Sequence, residues 1–498
     1  MRRTAVTISA LLFCVSASLA QQNANADPEL QELKQQLREI VSSLQETRSE
    51  LKESQRQIQS LKTEVDSLRA ANAPTGVAPA MTGESAPTST ELADRVTSLQ
   101  EQQALLSTRV DQQYQTKVES GSKYRVRLSG MVLFNASGTR GEVDDQDVPM
   151  LAEAHTPGES GGNISATMRQ TFVNLDVFGP ELAGARTSAS MQFDFMGGFP
   201  NTLDGVAMGI VRMKVARAQL DWQKWSVSVG QDKPFISPYS PTSLATIGTP
   251  GFGYSGNMWT WTPQIVAERR WTPSEKLSAK LQFGMLDPFS GELPEDSFGR
   301  YPEAGERSRV PAFAARQSFD FGHDEQKSSI GFGGYYSRHD FDFNRTVDGW
   351  AATLDWKVAL GRYFESTGAL YRGRAVGGMW GGIGTTAVFD GYLSDPLTHV
   401  YPVNSIGGWS QLKYKPASKW EFNAAFGEDS PFAADVLQDD APYSYRPYLR
   451  NWTTMFNVIQ RPRSNLMFSL EYRHLNSVEF SGQRDTAEHI NLGVGVIF

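Results

Sequence analysis

From Lys123 to the C-terminus the chain alternates apolar and polar side chains with a period of two, the pattern of half-buried β-strands. The last stretch shows it most plainly. Ile490, Leu492, Val494, Val496 and Phe498 share one parity, and His489, Asn491, Gly493 and Gly495 share the other. A strand with one continuous apolar face, ending on an aromatic, is a poor edge for a soluble sandwich, because such an edge invites unwanted pairing. In a closed membrane barrel the same strand pairs with the first, turns its apolar face to lipid and sets its aromatic at the interface. Similar stretches recur at 123–136, 165–178, 185–196, 208–221, 224–232, 263–271, 277–287 and 310–321. They continue at 327–338, 348–360, 362–374, 405–415, 418–428, 448–460, 463–475 and 485–498. The count, about sixteen, is even and within the range of single-chain outer-membrane barrels.

The connections between these stretches fall into two classes. Short ones at 179–184, 222–223, 272–276, 322–326, 361, 416–417 and 461–462 are separated by long ones, which include 137–164, 233–262, 288–309, 375–404 and 429–447. Short turns on one rim and long loops on the other are what an outer-membrane barrel requires. An even strand count brings both ends of the barrel back to the short-turn, periplasmic rim. Nearly all prolines after Lys123 fall in connections or at strand starts, since strand interiors exclude them. Trp225, Trp271, Trp350, Trp356, Trp420 and Trp452 sit near strand ends, as interfacial girdles would place them.

Upstream of Lys123 the period changes. Leu30, Leu37, Leu44, Leu51, Ile58 and Val65 recur every seven residues, with Leu33, Ile40, Leu61 and Leu68 three later and Thr47 and Ser54 as polar exceptions. This is an a/d heptad seam, flanked by Glu29, Glu50 and Glu64 at g and by Lys34, Lys62 and Arg69 at e. Glu29 with Lys34 and Glu64 with Arg69 have the offset that pairs neighbouring chains in a parallel coil. The heptads leave dimer and trimer both open. Before them, Arg2 and Arg3, an apolar run from Ala5 to Val15 and Ser18-Leu19-Ala20 make a secretory leader. The expected organisation is a signal peptide at 1–20, a periplasmic coiled coil at 21–70, a flexible linker at 71–90, a short helical connector at 91–122 and a barrel at 123–498. The fold class is thus an all-β transmembrane barrel of antiparallel strands with an N-terminal α-helical coiled coil.

Composition narrows the chemistry. Cys14, the single cysteine, lies in the leader, so the mature chain has no disulfide and no Cys-based metal or redox site. Loss of Arg2 and Arg3 takes the net charge from −8 to about −10, which disfavours nucleic acid as a partner. Beyond the leader no run of eighteen apolar residues exists, so a helical span is excluded. The six His show no metal-ligand or hydrolase spacing, and no cofactor, metal or catalytic site is expected. Asp340-Phe-Asp342-Phe-Asn344 starts like a calcium loop, but Arg345 replaces the needed Gly and Ala351 the closing Glu, so it reads as a turn. Gly331-Phe-Gly333-Gly334 and Gly381-Gly382-Ile-Gly384 lack the strand-to-helix setting of a phosphate cradle.

The chemistry then belongs to the lumen. The 233–262 connection, with Lys233, Pro234, Phe235, Tyr239 and Tyr254 among its residues, is rich in Pro and aromatics and reads as an ordered constriction loop. Parity turns Arg125, Arg127, Arg186, Arg212, Lys214, Lys280, Arg316 and Lys357 inward; a bulge near Ala216 brings in Arg217, and Arg270 follows if Trp271 belongs to the girdle. Inward acids include Asp176, Asp194, Asp320, Asp355, Glu421 and Glu471. More base than acid on the first eight strands leans toward anion passage, unless these bases are simply paired with the acids.

Leader, heptads, strand count, the loop after the fifth strand and the terminal Phe498 together resemble the trimeric outer-membrane porins. The coiled coil resembles more narrowly the DcaP-like group, porins with such an extension and a basic, dicarboxylate-favouring channel. Val229-Gly-Gln-Asp-Lys-Pro-Phe235 is similar to the stretch that enters the constriction in this class. The resemblance implies a homotrimer in the Gram-negative outer membrane, in contact with its lipids, that passes small anionic or polar solutes by diffusion. It also implies assembly by the barrel machinery reading Ile490, Leu492, Val494, Val496 and Phe498 as its signal. The rival reading is a barrel plugged inside, whose coiled coil tethers the outer membrane.

Overall fold

A computed structural model describes residues 124–199, 209–291, 300–322, 327–438 and 448–498. The leader, coiled coil, linker and connector assigned to 1–122 lie outside the described residues.

The described chain is built on one antiparallel sheet that closes on itself. Its strands are β1 (Arg125–Arg140), β2 in two pieces (Gly162–Thr167 and Phe172–Leu182), β3 (Ala185–Asp194), β4 (Arg212–Asp221), β5 (Trp225–Asp232), β6 (Thr262–Ser274), β7 (Leu277–Leu286) and β8 (Ala312–Phe321). There follow β9 (Ser328–Asp340), β10 (Thr346–Leu360), β11 (Phe364–Arg374), β12 (Asn404–Ala417), β13 (Trp420–Pro431), β14 (Tyr448–Arg463), β15 (Leu466–Glu479) and β16 (Arg484–Ile497). Each pairs with its sequence neighbours, and β16 pairs with β1 from Met131 opposite Ile497 to Arg140 opposite Glu488. Every expected strand is present, and closure leaves the sheet without an edge.

Closure is finished by the terminal aromatic. Gly130 and Phe498 exchange backbone hydrogen bonds of 3.0 and 3.1 Å. A Cβ on Gly130 would collide with the Phe172 carbonyl oxygen and lie 2.7 Å from the Phe498 ring, so glycine here admits both the neighbouring strand and that ring. Short turns take the chain round one rim. Between β2 and β3, Ala183 and Gly184 both have positive φ, 50° and 75°, as a two-residue turn of the primed type needs, and glycine adopts this without strain.

Alternation sets the two faces. Leu128, Val132, Phe134, Leu470, Ile490, Leu492 and Val496 are exposed on the outside, while Leu133, Asn135, Glu471, His489 and Asn491 are buried on the inside. Trp225, Trp271, Trp350 and Trp420 are also exposed on the outer face.

Strand ends shift by up to four residues from the sequence expectation, and the loop pattern also differs. β1 runs on to Arg140. The second strand is wider than 165–178 and is broken at 168–171: its first piece pairs with the upper half of β1 and its second with the lower half. The long-loop rim also carries two short connections, at 341–345 and 480–483, so loop length does not alternate throughout. The 341–345 turn contains Asp342, Phe343 and Asn344, all at positive φ. Arg345, which stands where a calcium loop has Gly, donates from Nη1 to the Asp395 and Thr398 carbonyls at 3.1 Å and so ties this turn to the 375–403 loop.

Candidate functional site

The connection from Lys233 to Trp261 has no regular secondary structure, yet most of it is buried. The groups that bury it are inward side chains of distant strands. Thr353 on β10 donates to the Ile236 carbonyl at 3.1 Å. Gln411 on β12 accepts from Thr242 N at 2.6 Å, and Asn457 on β14 donates to the Thr242 carbonyl at 2.8 Å. Asn451 on β14 donates to the Tyr254 carbonyl at 2.9 Å. From the other side Gln170, in the break of β2, donates to the Ala245 carbonyl and accepts from Gly248 N, both at 3.0 Å. On β4, Arg212 donates to the Gly248 carbonyl at 2.9 Å and Lys214 to the Ile247 carbonyl at 2.8 Å. A segment tied to β2, β4, β10, β12 and β14 runs across the inside of the barrel. Its backbone needs these partners because buried peptide groups left unpaired are costly.

The candidate loop residues have distinct places. Pro234 and Phe235 are buried, Phe235 in a cluster with Ile236, Met258, Val266 and Leu286. Tyr239 packs against Phe252, Trp409 and Met455. Tyr254 stacks on Trp380 of the 375–403 loop at 4.4 Å, and Trp380 meets Trp259 at 4.4 Å. Lys233, at the loop's start, donates to the Pro238 carbonyl at 2.8 Å. On β9, Gly333 leaves the room that Ile236 and Thr353 share: a Cβ there would lie 3.2 Å from the Ile236 Cβ.

Most of the inward bases are found with acids beside them. Arg127 donates to Asp176 at 2.9 Å. Arg212 donates to Asp194 at 2.7 Å, Lys214 lies 3.5 Å from the same carboxylate, and both cations sit over the Trp261 ring. Arg217 pairs with Asp232 at 2.7 Å and Arg186 with Asp221 at 2.6 Å. Arg270 also binds Asp221, and lies 3.8 Å from Glu268, as does Lys280. Arg316 and Asp355 form a two-pronged pair with almost no exposure. Arg125 has its guanidinium 4.7 Å from the centre of the Phe178 ring. A register shift between Gln192 and Phe193 inserts one extra residue in β4, so Arg212 and Arg217 face the same side despite their odd spacing.

Parity left two things unread. It did not pair Asp221, Asp232 and Glu268 with these bases, because the partners are set by strand register. It also missed the amides Gln170, Gln411, Asn451 and Asn457, whose only sequence signal is a polar residue on the face opposite lipid.

A cavity of ≈ 110 Å³ lies between the start of the loop and the wall formed by β4 to β7. Gln219, Ser228, Gln264 and Gln282 are among its lining residues, with Arg217, Asp232, Lys233 and Glu268 supplying charge.

No family model matches the sequence, and no curated protein is significantly similar to it. Solved structures do match. The outer membrane channel DcaP of Acinetobacter baumannii superposes with a TM-score of 0.59 at 14% identity, over 77% of this chain and 100% of that one. An anion-selective porin from Comamonas acidovorans gives 0.45 at 10% identity over 76% and 100%, and OmpT of Vibrio cholerae gives 0.44 at 9% over 77% and 100%. The first of these carries the assignment: the chain shares its closed, sixteen-stranded antiparallel barrel fold with the outer-membrane channel DcaP.

Proposed function

We propose that this chain is a porin of the Gram-negative outer membrane through which small hydrophilic solutes diffuse passively, with a lean toward anions, dicarboxylates among them. The observation that carries this reading is the loop from Lys233 to Trp261, tied across the barrel interior with a cavity between its start and the β4 to β7 wall; by this reading the wall from β3 to β7 lines the passage. The loop sets the size limit and the wall sets the field. Among the described inward positions of that wall, with Lys233, seven bases (Arg186, Arg212, Lys214, Arg217, Lys233, Arg270 and Lys280) face four acids (Asp194, Asp221, Asp232 and Glu268). Pairing weakens the field of each base, and the excess leaves the wall net positive. An anion there meets several weak sites and can still leave.

The protein works as a homo-oligomer, a trimer by this reading, with its coiled coil in the periplasm. In support, large aromatics crowd the outer face of β8 to β15, including Phe319, Phe332, Trp350, Phe426, Phe456 and Phe468, whereas β2 and β4 present Val173, Leu175, Val177 and Ala218. The smaller-residue face suits contact with another copy. Insertion rests on the assembly machinery recognising Ile490 to Phe498, and lipid covers the apolar belt.

The test is single-channel recording of detergent-purified protein in a planar bilayer under a salt gradient. Steps grouped in threes with a reversal potential on the anion side are expected. A silent protein that nonetheless inserts would replace this reading with the plugged tether.

A further inference from the structure

On the short-turn side of the loop, a second group of charges stands on the wall opposite the passage. Thr242 fastens the loop to Gln411 on β12 and to Asn457 on β14. Four residues further along each strand, roughly 13 Å of backbone toward the short turns, come Lys415 and Arg461. Arg461 N donates to the Lys419 carbonyl at 2.8 Å, which sets it at that rim. Both cationic heads turn inward onto one oxygen: Glu421 Oε2 lies 3.0 Å from Arg461 Nη1 and 3.7 Å from Lys415 Nζ. The other oxygen, Oε1, accepts from Asn423 at 3.1 Å and faces Lys413 at 3.5 Å. Lys413 and Lys357 in turn share Glu365, each at 3.5 Å. Four bases therefore share two acids across β10 to β14. The inward acids Asp355 and Glu471 are closed in buried pairs with Arg316 and Arg473, and Asp320 stands on β8, four strands from β12.

Burial decides which sign a solute meets here. The Glu421 side chain is 3% exposed, whereas Lys415 is 52% and Arg461 33% exposed. Asn423 is itself held by Asn457 at 2.8 Å, so the carboxylate is anchored behind the two bases. Among the described residues the Lys415 ammonium makes no hydrogen bond, and Arg461 engages Glu421 through Nη1 alone.

We propose that Lys415 and Arg461 form a phosphate site at the short-turn mouth of the barrel, which takes the phosphate group of a small solute in preference to a dicarboxylate. The inference rests on the porin reading for the path that brings a solute there. Two heads on one oxygen are neighbours, so a single group serves both. A phosphate carries about −1.5 to −2 charge at pH 7 on three strong acceptor oxygens. The guanidinium fork matches two of them, and the ammonium adds a point charge. Succinate brings one carboxylate to the pair and leaves its second charge beyond it.

The experiment is phosphorus NMR line broadening of inorganic phosphate titrated into detergent-purified full-length protein at low ionic strength, with succinate and chloride as competitors. Phosphate inhibition of chloride current in planar bilayers is read alongside. The variants are Lys415→Gln, Arg461→Gln, Lys415→Arg and Glu421→Gln, each checked for folding by its heat-sensitive electrophoretic shift. Phosphate affinity is expected to fall about threefold in Lys415→Gln, where solvent screens the charge, and about tenfold in Arg461→Gln. Lys415→Arg should keep the parent affinity. Glu421→Gln should raise it, because the competing charge goes while Asn423 keeps its acceptor. If Arg461→Gln does not fold, the opposite signs of Lys415→Gln and Glu421→Gln decide. Phosphate binding that is absent from the parent, indifferent to the Gln substitutions or displaced as readily by succinate overturns the site, and with current flowing it leaves the porin intact. A protein that binds phosphate in this pattern but carries no current keeps the site and loses the porin reading.

Discussion

Gly331 on β9 offers a sharp test of how the barrel interior is held. It stands between Ser318 of β8 and Asp355 of β10. Arg316 reaches over it, with Nε donating to Asp355 Oδ2 at 2.8 Å and Nη2 to Oδ1 at 2.7 Å. A methyl group in place of the Gly331 hydrogen would collide with Arg316 Nη2 and lie 2.6 Å from Asp355 Oδ2. An unobstructed Gly→Ala change within a strand gains about 0.5–1 kcal/mol. Leaving a buried charge without its partner costs about 3–5 kcal/mol, and a pair pushed apart but not abolished falls near the low end. Gly331→Ala should therefore destabilise by about 2–3 kcal/mol, up to roughly 150-fold in the folded-to-unfolded ratio. Urea unfolding in lipid vesicles, followed by tryptophan fluorescence and by electrophoretic mobility, measures this. A Gly331→Ala protein as stable as the parent would refute the steric argument. The same substitution placed on an Arg316→Met, Asp355→Leu background should be neutral or favourable. If the penalty persists there, the clash is not with the ion pair.

Three further outcomes follow from other contacts. Arg212→Gln with Lys214→Gln should raise single-channel conductance and current noise, because their donors latch the loop at Ile247 and Gly248, and should move the reversal potential away from the anion side, because two bases are lost against the one Asp194; unaltered conductance would remove the latch. Phe498→Ala should lower the temperature of the electrophoretic shift by emptying the seat at Gly130 in which its ring lies; an unchanged shift temperature would show that the ring contributes nothing to closure. At Asp287, just past β7, burial first and then Glu306 push the carboxyl up from 3.8 to about 6 against the opposing Arg300. The folded protein then holds a proton at Asp287 that the unfolded one releases, so the order of residues 300–308 beside it should be greatest near the ordinary carboxyl range, fall as pH rises, and level off above about 6. Hydrogen exchange of residues 300–308, corrected for intrinsic rate, should show this slope in the parent and lose it in Asp287→Asn; a flat parent would contradict the assigned burial.

The sequence by itself determined the barrel. A strand's side chains alternate by covalent geometry, so which residues meet lipid and which face inward is written locally, down to the run from Ile490 to Phe498. The run of Pro and aromatic residues after Lys233 likewise marked an ordered segment. Tertiary structure decided what parity cannot carry. Asp221 and Arg270 are 49 residues apart and meet because register sets Asp221 of β4 opposite Ser226 of β5 and Ser226 opposite Glu268 of β6, two residues from Arg270. Gly331 and Gly333 read locally as weak motif matches, and only pairing with β8 and β10 shows them as the gaps that admit an ion pair and a loop. The break in β2 is equally non-local: Gln170 leaves the ladder to bind the loop 75 and 78 residues away. Facing is a property of one strand, fixed by its own backbone. Partnership belongs to strands brought side by side, and the charge a solute meets is set by partnership.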